Sequence, residues 1–136
     1  MLVQLLYISR ANVPLTTTVT TTILESARVH NRVAGITGLL CQGQDLFIQI
    51  LEGERSVVNR LYNTLIKDKR HKDVEIVSLE EIQVRKFPNW SMAHVIISED
   101  DPIIQLNHPE FDPFNASADQ LQELIADLLK HSTPIN

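Results

Sequence analysis

The chain has 136 residues, of which 43% are hydrophobic and 21% charged, so it is long enough for one globular domain with a buried core. Its net charge of −5 and its 5% aromatic content disfavour a nucleic-acid surface, which ordinarily carries basic and stacking aromatic side chains. The N-terminal sequence does not resemble a signal peptide, and no apolar run is long enough to span a bilayer. A cytoplasmic protein without membrane or nucleic-acid partners is predicted. The single cysteine, Cys41, is interpreted as a small buried hydrophobe without a catalytic role.

The first two predicted elements are a strand and a helix. LVQLLYIS, residues 2–9, is short, apolar and rich in strand formers. In TTTVTTTILESARVHN, residues 16–31, apolar side chains recur every four residues at Val19, Ile23 and Ala27, and Asn31 continues this stripe. This spacing predicts a helix, although its six threonines are individually poor helix formers.

A hairpin is predicted next, with GITGLLCQ and DLFIQILEG as its strands and a turn around Gly43 and Gln44. Side chains alternate between the faces of a strand, so Phe47, Gln49 and Leu51 should share one face. A buried amide without partners costs roughly 1–3 kcal/mol. Gln49 is therefore expected to meet other polar groups, water or a ligand.

The second half of the chain begins with a predicted helix, SVVNRLYNTLIKD, followed by two strands, VEIVSLEEIQV and WSMAHVII. The helix is expected to bury Val57, Val58, Leu61, Leu65 and Ile66, and to end in the basic run KDKRHK. Trp90 and Met92 alternate in the last strand and should share a face. The order βαββαββ predicts an α+β, ferredoxin-like sandwich with two helices on one face of a mixed five-stranded sheet.

Residues 98–136 form a predicted C-terminal extension to the domain of residues 1–97. SEDDPIIQLNHPEFDPFNAS is rich in proline and acidic residues and is predicted to be irregular. Ser117 and Gln120 resemble a capping box that starts a helix over about 117–131. Its apolar stripe is expected to cover the open face of the sheet or a partner's surface; it comprises Leu121, Leu124, Ile125 and Leu128.

Common catalytic patterns are not found in the sequence. Its four glycines are scattered, which excludes a glycine-rich phosphate loop, and its five histidines show no metal-ligand spacing. No serine lies in a nucleophile-elbow context. A non-enzymatic protein is therefore predicted, without a metal site.

Polar residues in apolar settings mark the candidate site. The first and third strands of a ferredoxin-like sheet are neighbours, so Tyr7 and Gln49 can meet, and Asn31 ends the stripe of the first helix. These residues form either a satisfied core network or the polar edge of a ligand pocket. Likewise, Arg70 and His71 belong either to a solvated helix end or to an anion site.

Five motifs in order, LLYISRA, HNRVAGITGLL, LFIQILEGE, LIKDKRH and FPNWSM, resemble the signatures of the BLUF domain, a blue-light sensor that uses a flavin. The resemblance covers residues 1–97 and implies non-covalent binding of FAD, with FMN or riboflavin as substitutes. The sequence departs from the family in its threonine-rich first helix, and the residues after about 98 match no family signature. The cofactor-binding residues that it implies are Ile23 and Leu65 on either side of the ring, Asn31 at its carbonyl and imide edge, His30 against the ring, Gln49, and Asp68, Arg70 and His71 near the ribityl and phosphate groups.

The resemblance also implies a mechanism. Light would draw an electron and then a proton from Tyr7 to the flavin, and Gln49 would rotate or tautomerise to give a red-shifted state. Trp90 and Met92 would transmit the change. The output would pass to a separate protein or to a change in oligomeric state, with the terminal helix as the docking element.

Two alternatives from other classes remain at this point. One is a light-insensitive ferredoxin-like module that binds a ligand or a protein. The other is a hydrolase of the acylphosphatase type, which is disfavoured because SRANVPL does not resemble a phosphate loop.

Overall fold

The structure, a computed structural model, describes residues 1–98, 100–110 and 112–136. Its five-stranded sheet comprises β1 (Leu2–Ala11), β2 (Thr37–Gln42), β3 (Leu46–Glu54), β4 (His71–Glu81) and β5 (Ala93–Ile96). The strand order is β4-β1-β3-β2-β5; β5 is parallel to β2 and the other neighbours are antiparallel. The predicted mixed sheet and strand number are confirmed.

Two apolar layers enclose the sheet. Helices α1 (Thr17–Ala34) and α2 (Arg55–Leu65) cover one face, where they pack on alternate residues of the central strands. The opposite face is covered by the C-terminal part of the chain, which includes α3 (Pro102–Asn107), a 3-10 turn (Pro113–Asn115) and α4 (Ala118–His131). Each central strand is therefore apolar on both faces, as a fully covered sheet requires.

Helix α1 forms despite its threonines because both of its ends are capped. The Thr16 hydroxyl accepts a hydrogen bond from the Val19 backbone N–H at 3.2 Å, and Gly35 ends the helix in the left-handed region at φ 71°. Ile23 and Ala27 pack against the sheet, and Asn31 is buried. The predicted stripe is confirmed for these residues.

Helix α2 is shorter than predicted. It ends at Leu65, Ile66 is 46% exposed, and the KDKRHK run is a turn followed by the first residues of β4. The Asp68 carboxylate accepts a hydrogen bond from the Arg70 backbone N–H at 2.9 Å and so stabilises a turn in place of another helical turn. Arg70 and His71 therefore do not lie at a helix end.

The C-terminal extension combines a confirmed and a corrected prediction. Ser117 and Gln120 form the capping box, and the predicted stripe of α4 is buried against the sheet. The region predicted to be irregular includes Glu99 and Phe111, which lie outside the described residues, but it also contains α3. Asp101 caps α3 by accepting from the Ile103 N–H at 2.9 Å, and Pro102 occupies its first position.

Among the described residues, no helix is both long and apolar enough to cross a membrane.

Because the α4 stripe completes the second core layer, we expect Leu124→Ala to lower the free energy of unfolding by about 2–5 kcal/mol. Leu124 is 2% exposed, whereas its neighbour Glu123 is exposed, and Glu123→Ala should change stability by less than about 0.5 kcal/mol. Urea unfolding of both variants measures the difference. Equal midpoints would show that α4 does not pack on the sheet in solution.

Candidate functional site

Residues from α1, α2, the central strands and the turn that leads into β4 line a cavity of about 280 Å³. This volume is close to the lower end of small-ligand pockets, about 300 Å³. The nine residues that the resemblance implies bind or act on a flavin all line it: Tyr7, Ile23, His30, Asn31, Gln49, Leu65, Asp68, Arg70 and His71. Residues separated by up to 64 positions in sequence are thus brought to one place.

Gln49 lies at the centre of a buried hydrogen-bonded chain. It is directly opposite Tyr7 in the β1–β3 register, and the Tyr7 hydroxyl donates to Gln49 Oε1. At the other end of the amide, Gln49 Nε2 donates to the sulfur of Met92 at 3.3 Å. Tyr7 is 3% exposed, Gln49 is 7% exposed and Met92 is 0% exposed. The polar partner expected for Gln49 is thus Tyr7 together with the Met92 sulfur.

The Tyr7 phenol is held in its protonated form. Burial raises the pKa of Tyr7 far above its usual value, and the nearby Tyr62 and Asp68 raise it further. The neutral phenol therefore persists as a hydrogen-bond donor through the physiological pH range.

Asn31 connects α1 to the segment that precedes β5. Its Nδ2 donates to the Ser91 carbonyl at 2.7 Å, and the residue is 1% exposed. Among the described residues, its Oδ1 has no hydrogen-bond donor. Because Asn31 lines the cavity, this oxygen is available to a ligand N–H.

Trp90 and Met92 do not share a face, which corrects the sequence prediction. The strand begins only at Ala93, and bends at Ser91 and Met92 break the alternation on which the prediction depended. Met92 packs in the layer beneath α1 and α2, whereas Trp90 packs in the layer beneath α4, where it stacks on Phe87 with ring centroids 5.4 Å apart.

The irregular segment that leads to Met92 is fixed by a buried carboxylate. Glu52 is 0% exposed and accepts hydrogen bonds from Gln4 Nε2 at 2.9 Å and from the backbone N–H groups of Lys86 and Phe87 at 3.0 and 2.7 Å. Three donors thereby replace water around the carboxylate. The segment carrying Ser91 and Met92 is held against the sheet.

The charged groups at the end of the cavity are already paired with one another. Arg70 Nε and Nη2 bind the Asp68 carboxylate, with the shortest distance 2.5 Å, and this hydrogen bonding lowers the pKa of Asp68. His71 donates from Nε2 to the Leu65 carbonyl at 2.5 Å and accepts at Nδ1 from the Ser9 hydroxyl at 2.9 Å. His71 therefore ties β4 to α2 and β1, and its ring has no donor left for an anion.

The donor set suits an isoalloxazine ring. Gln49 has one amide hydrogen beyond the one that it donates to Met92, and this hydrogen matches a flavin carbonyl. The Asn31 side-chain oxygen is an acceptor and matches the flavin imide N–H. Ile23 on α1 and Leu65 on α2 provide apolar walls. The cavity is too small for a whole dinucleotide, so the remainder of FAD would extend beyond it.

Other lining residues were missed by sequence reasoning, although the periodicity contains them. They are Ser26, Ala27, Leu40, Phe47, Leu51, Leu61 and Thr64. Phe47 and Leu51 flank Gln49 on its own face, and Leu40 is its partner in β2. The helical members lie within one turn of Ile23 or Leu65.

Comparisons with known proteins agree on one family. The family model described as "BLUF: Sensors of blue-light using FAD" matches residues 2–93. Photoactivated adenylate cyclase subunit beta of Euglena gracilis is 36% identical over 93 residues, which are 68% of this chain and 11% of the relative. The chain therefore spans about a tenth of the length of the curated relatives it matches.

Solved structures match over a larger share of the chain. BlsA in its photo-activated state has a TM-score of 0.86 and 31% identity, and the match covers 100% of this chain and 99% of that one. BlrB, a BLUF protein in its dark state, has a TM-score of 0.80 and 30% identity, with coverage of 96% and 97%. With the family model matching more than half of its residues, the chain belongs to the BLUF family of flavin-dependent blue-light sensors.

Proposed function

We propose that this protein is a non-enzymatic blue-light photoreceptor that binds FAD non-covalently in the cavity between α1 and α2. One observation carries the proposal: a buried amide, Gln49, accepts from Tyr7, donates to Met92 and retains one N–H where it lines the cavity. Residues 1–97 constitute the flavin-binding domain. The alternative, a light-insensitive ligand-binding module, has no such observation in its favour.

The cavity residues have separate binding roles. Ile23 and Leu65 enclose the ring between the helices, and Asn31 binds its carbonyl and imide edge. His30, which is exposed on α1, lies against the ring. At the other end, Arg70 Nη1 makes no hydrogen bond to any described residue and is available to the ribityl or phosphate groups.

Asp68 and His71 position this end of the site. Asp68 holds the Arg70 guanidinium and offsets its charge, which weakens the attraction for an anion but fixes the direction of the fork. His71 keeps the turn closed through its bonds to Ser9 and Leu65.

A bound flavin supplies blue-light absorption and, once excited, an acceptor for an electron and a proton. Tyr7 is the donor, because its phenol is buried in contact with Gln49 and retains its proton in the dark. Loss of that proton from Tyr7 Oη removes the donor that fixes Gln49 Oε1. Gln49 then rotates or tautomerises without creating a buried charge on the amide, and the electron and the proton return to Tyr7.

Met92 makes the two amide orientations unequal in energy. A thioether sulfur accepts hydrogen bonds and cannot donate, so it suits Nε2 but not Oε1. Rotation of Gln49 therefore costs the contact with Met92, and Met92 responds to the change. Trp90, in the other layer, is a second transmission candidate through its stacking on Phe87.

The signal passes to a separate protein or to a change in oligomeric state. A bacterial light-regulated adenylyl cyclase shares 30% sequence identity with this chain. The match covers 35% of the length of that cyclase. Because the α4 stripe is buried on the sheet, docking through α4 would use its exposed side.

Absorption spectroscopy of the purified protein tests the proposal. We expect a yellow protein whose flavin band shifts to the red under blue light and returns in the dark. Extraction and chromatography of the chromophore distinguish FAD from FMN and riboflavin. A protein that takes up no added flavin, or that binds flavin without a reversible shift, would refute the proposal.

Tyr7→Phe and Gln49→Leu are expected to keep flavin but lose the red shift, because each removes one partner of the Tyr7–Gln49 hydrogen bond. Matched controls are Tyr62→Phe, outside the cavity lining, and Gln44→Leu, at the exposed hairpin turn; both should shift normally. Light-minus-dark spectra of the four variants provide the measurement. A normal red shift in Tyr7→Phe or Gln49→Leu would contradict the assigned role.

We expect Tyr7 to stay protonated in the folded protein above pH about 10, the usual tyrosine pKa, because burial raises its pKa. A raised pKa stabilises the fold below pH about 10, and this contribution is lost as the pH rises towards the folded value. Ring-labelled tyrosine NMR follows the ionisation, and urea unfolding follows the stability.

The substitutions Tyr7→Phe and Tyr62→Phe assign this effect. Tyr7→Phe should reduce the loss of folding stability at alkaline pH. Tyr62→Phe should still lose the stability that depends on the protonated Tyr7 phenol. Ionisation of Tyr7 in the folded protein near its usual pKa would show that the phenol is not buried as described.

A further inference from the structure

Arg28, a half-buried residue of α1, joins two distant parts of the chain. Its Nε donates to the Met92 carbonyl at 3.0 Å, and its Nη2 donates to the Ile135 carbonyl at 2.9 Å. No carboxylate among the described residues lies within ion-pair distance of this half-buried guanidinium. Arg28 therefore uses its fork on two main-chain acceptors and not on a counter-ion.

The segment of residues 132–136, here called the tail, also covers the edge of the sheet. Strand β5 is the outermost strand on its side, and Ile135 pairs with His94 in an antiparallel bridge. The His94 N–H donates to the Ile135 carbonyl at 2.8 Å, and the Ile135 N–H donates to the His94 carbonyl at 3.0 Å. Covering the edge satisfies main-chain groups that would otherwise be exposed.

Met92 belongs both to the buried hydrogen-bonded chain of Tyr7, Gln49 and Met92 and to the contact with Arg28, which binds the tail. Its sulfur accepts from Gln49, and its carbonyl accepts from Arg28. His94, which holds the tail, lies two residues further along the chain. A movement of Met92 therefore acts on Arg28 and on the first residues of β5 together.

We propose that Arg28 is a positioning residue that clasps the tail onto β5 in the dark, and that movement of Met92 after rearrangement of Gln49 loosens this clasp. The tail then becomes the light-responsive output of the domain, because its release uncovers the His94 main-chain groups at the sheet edge. This inference rests on the proposed photoreceptor function and specifies how its signal reaches the surface.

The geometry favours release of the tail over a larger rearrangement. Helix α4 buries four apolar side chains. Beyond the Ser132 N–H bond to the Leu128 carbonyl, the contacts of the tail with the described residues are one bridge, the Arg28 bond and a 3.3 Å hydrogen bond from Asn136 Nδ2 to the Asn89 carbonyl. Segments held by few contacts open first in native proteins. Loss of one charge-assisted bond is therefore enough to shift the tail.

Hydrogen exchange of the flavin-loaded full chain, in the dark and under blue light, tests the proposal. We expect the amides of His94 and Ile135 to exchange about tenfold faster in the light. Arg28→Gln should bring the tail to the fast rate already in the dark, with flavin binding and red shift intact. Arg32→Gln, one turn further along α1 on an exposed residue, should match the wild type.

A second pair of variants keeps the test independent of Arg28. Ile135→Pro removes the N–H that donates to His94, whereas Ile135→Ala retains it. Faster dark exchange at His94 in the proline variant alone supports the bridge. Unchanged exchange in Ile135→Pro, or in Arg28→Gln, would overturn the clasp.

Failure of this inference is distinguishable from failure of the proposed function. If the wild type shows a red shift but equal tail exchange in light and dark, the photoreceptor assignment stands and the coupling is wrong. If the wild type shows no red shift, the photoreceptor assignment fails, and the light-dependent coupling fails with it.

Discussion

The hydrogen bond from Tyr7 to Gln49 determines which end of a buried amide faces each of its neighbours. It exists because β1 and β3 pair in a register that sets these two residues directly opposite each other. Leaving such an amide without partners would cost roughly 1–3 kcal/mol, so its surroundings must supply them. The Met92 sulfur supplies one, and the donor set of the cavity leaves one N–H for a ligand.

The irregular segment before β5 is as important to the site as the sheet. Glu52 fixes its beginning through the backbone of Lys86 and Phe87, and Asn31 and Arg28 bind its end at Ser91 and Met92. A segment without regular structure is thus held on both sides of the bend that carries Met92. Under the proposed mechanism, this pinning would carry a small change at Gln49 to the surface, because a close-packed main chain has few other ways to respond.

The sequence allowed prediction of those features that depend on local periodicity. Alternation along β3 identified the face of Gln49, and the order of elements gave the neighbouring position of β1. The end of α2 was wrong because the Asp68 side chain closes a turn there, and Trp90 and Met92 were wrongly paired because the chain bends before β5. The role of Arg28 was not predictable, since its acceptors are 64 and 107 residues away in sequence.

In the proposed photoreceptor, light changes the hydrogen bonding of the Gln49 amide. Light-minus-dark infrared spectroscopy of the flavin-loaded protein, with and without an isotopic label on the glutamine side-chain nitrogen, measures this change directly. We expect difference bands that move with the label in the wild type and disappear in Tyr7→Phe. A red-shifted state that forms without any label-sensitive band would show that Gln49 is not the group that light rearranges.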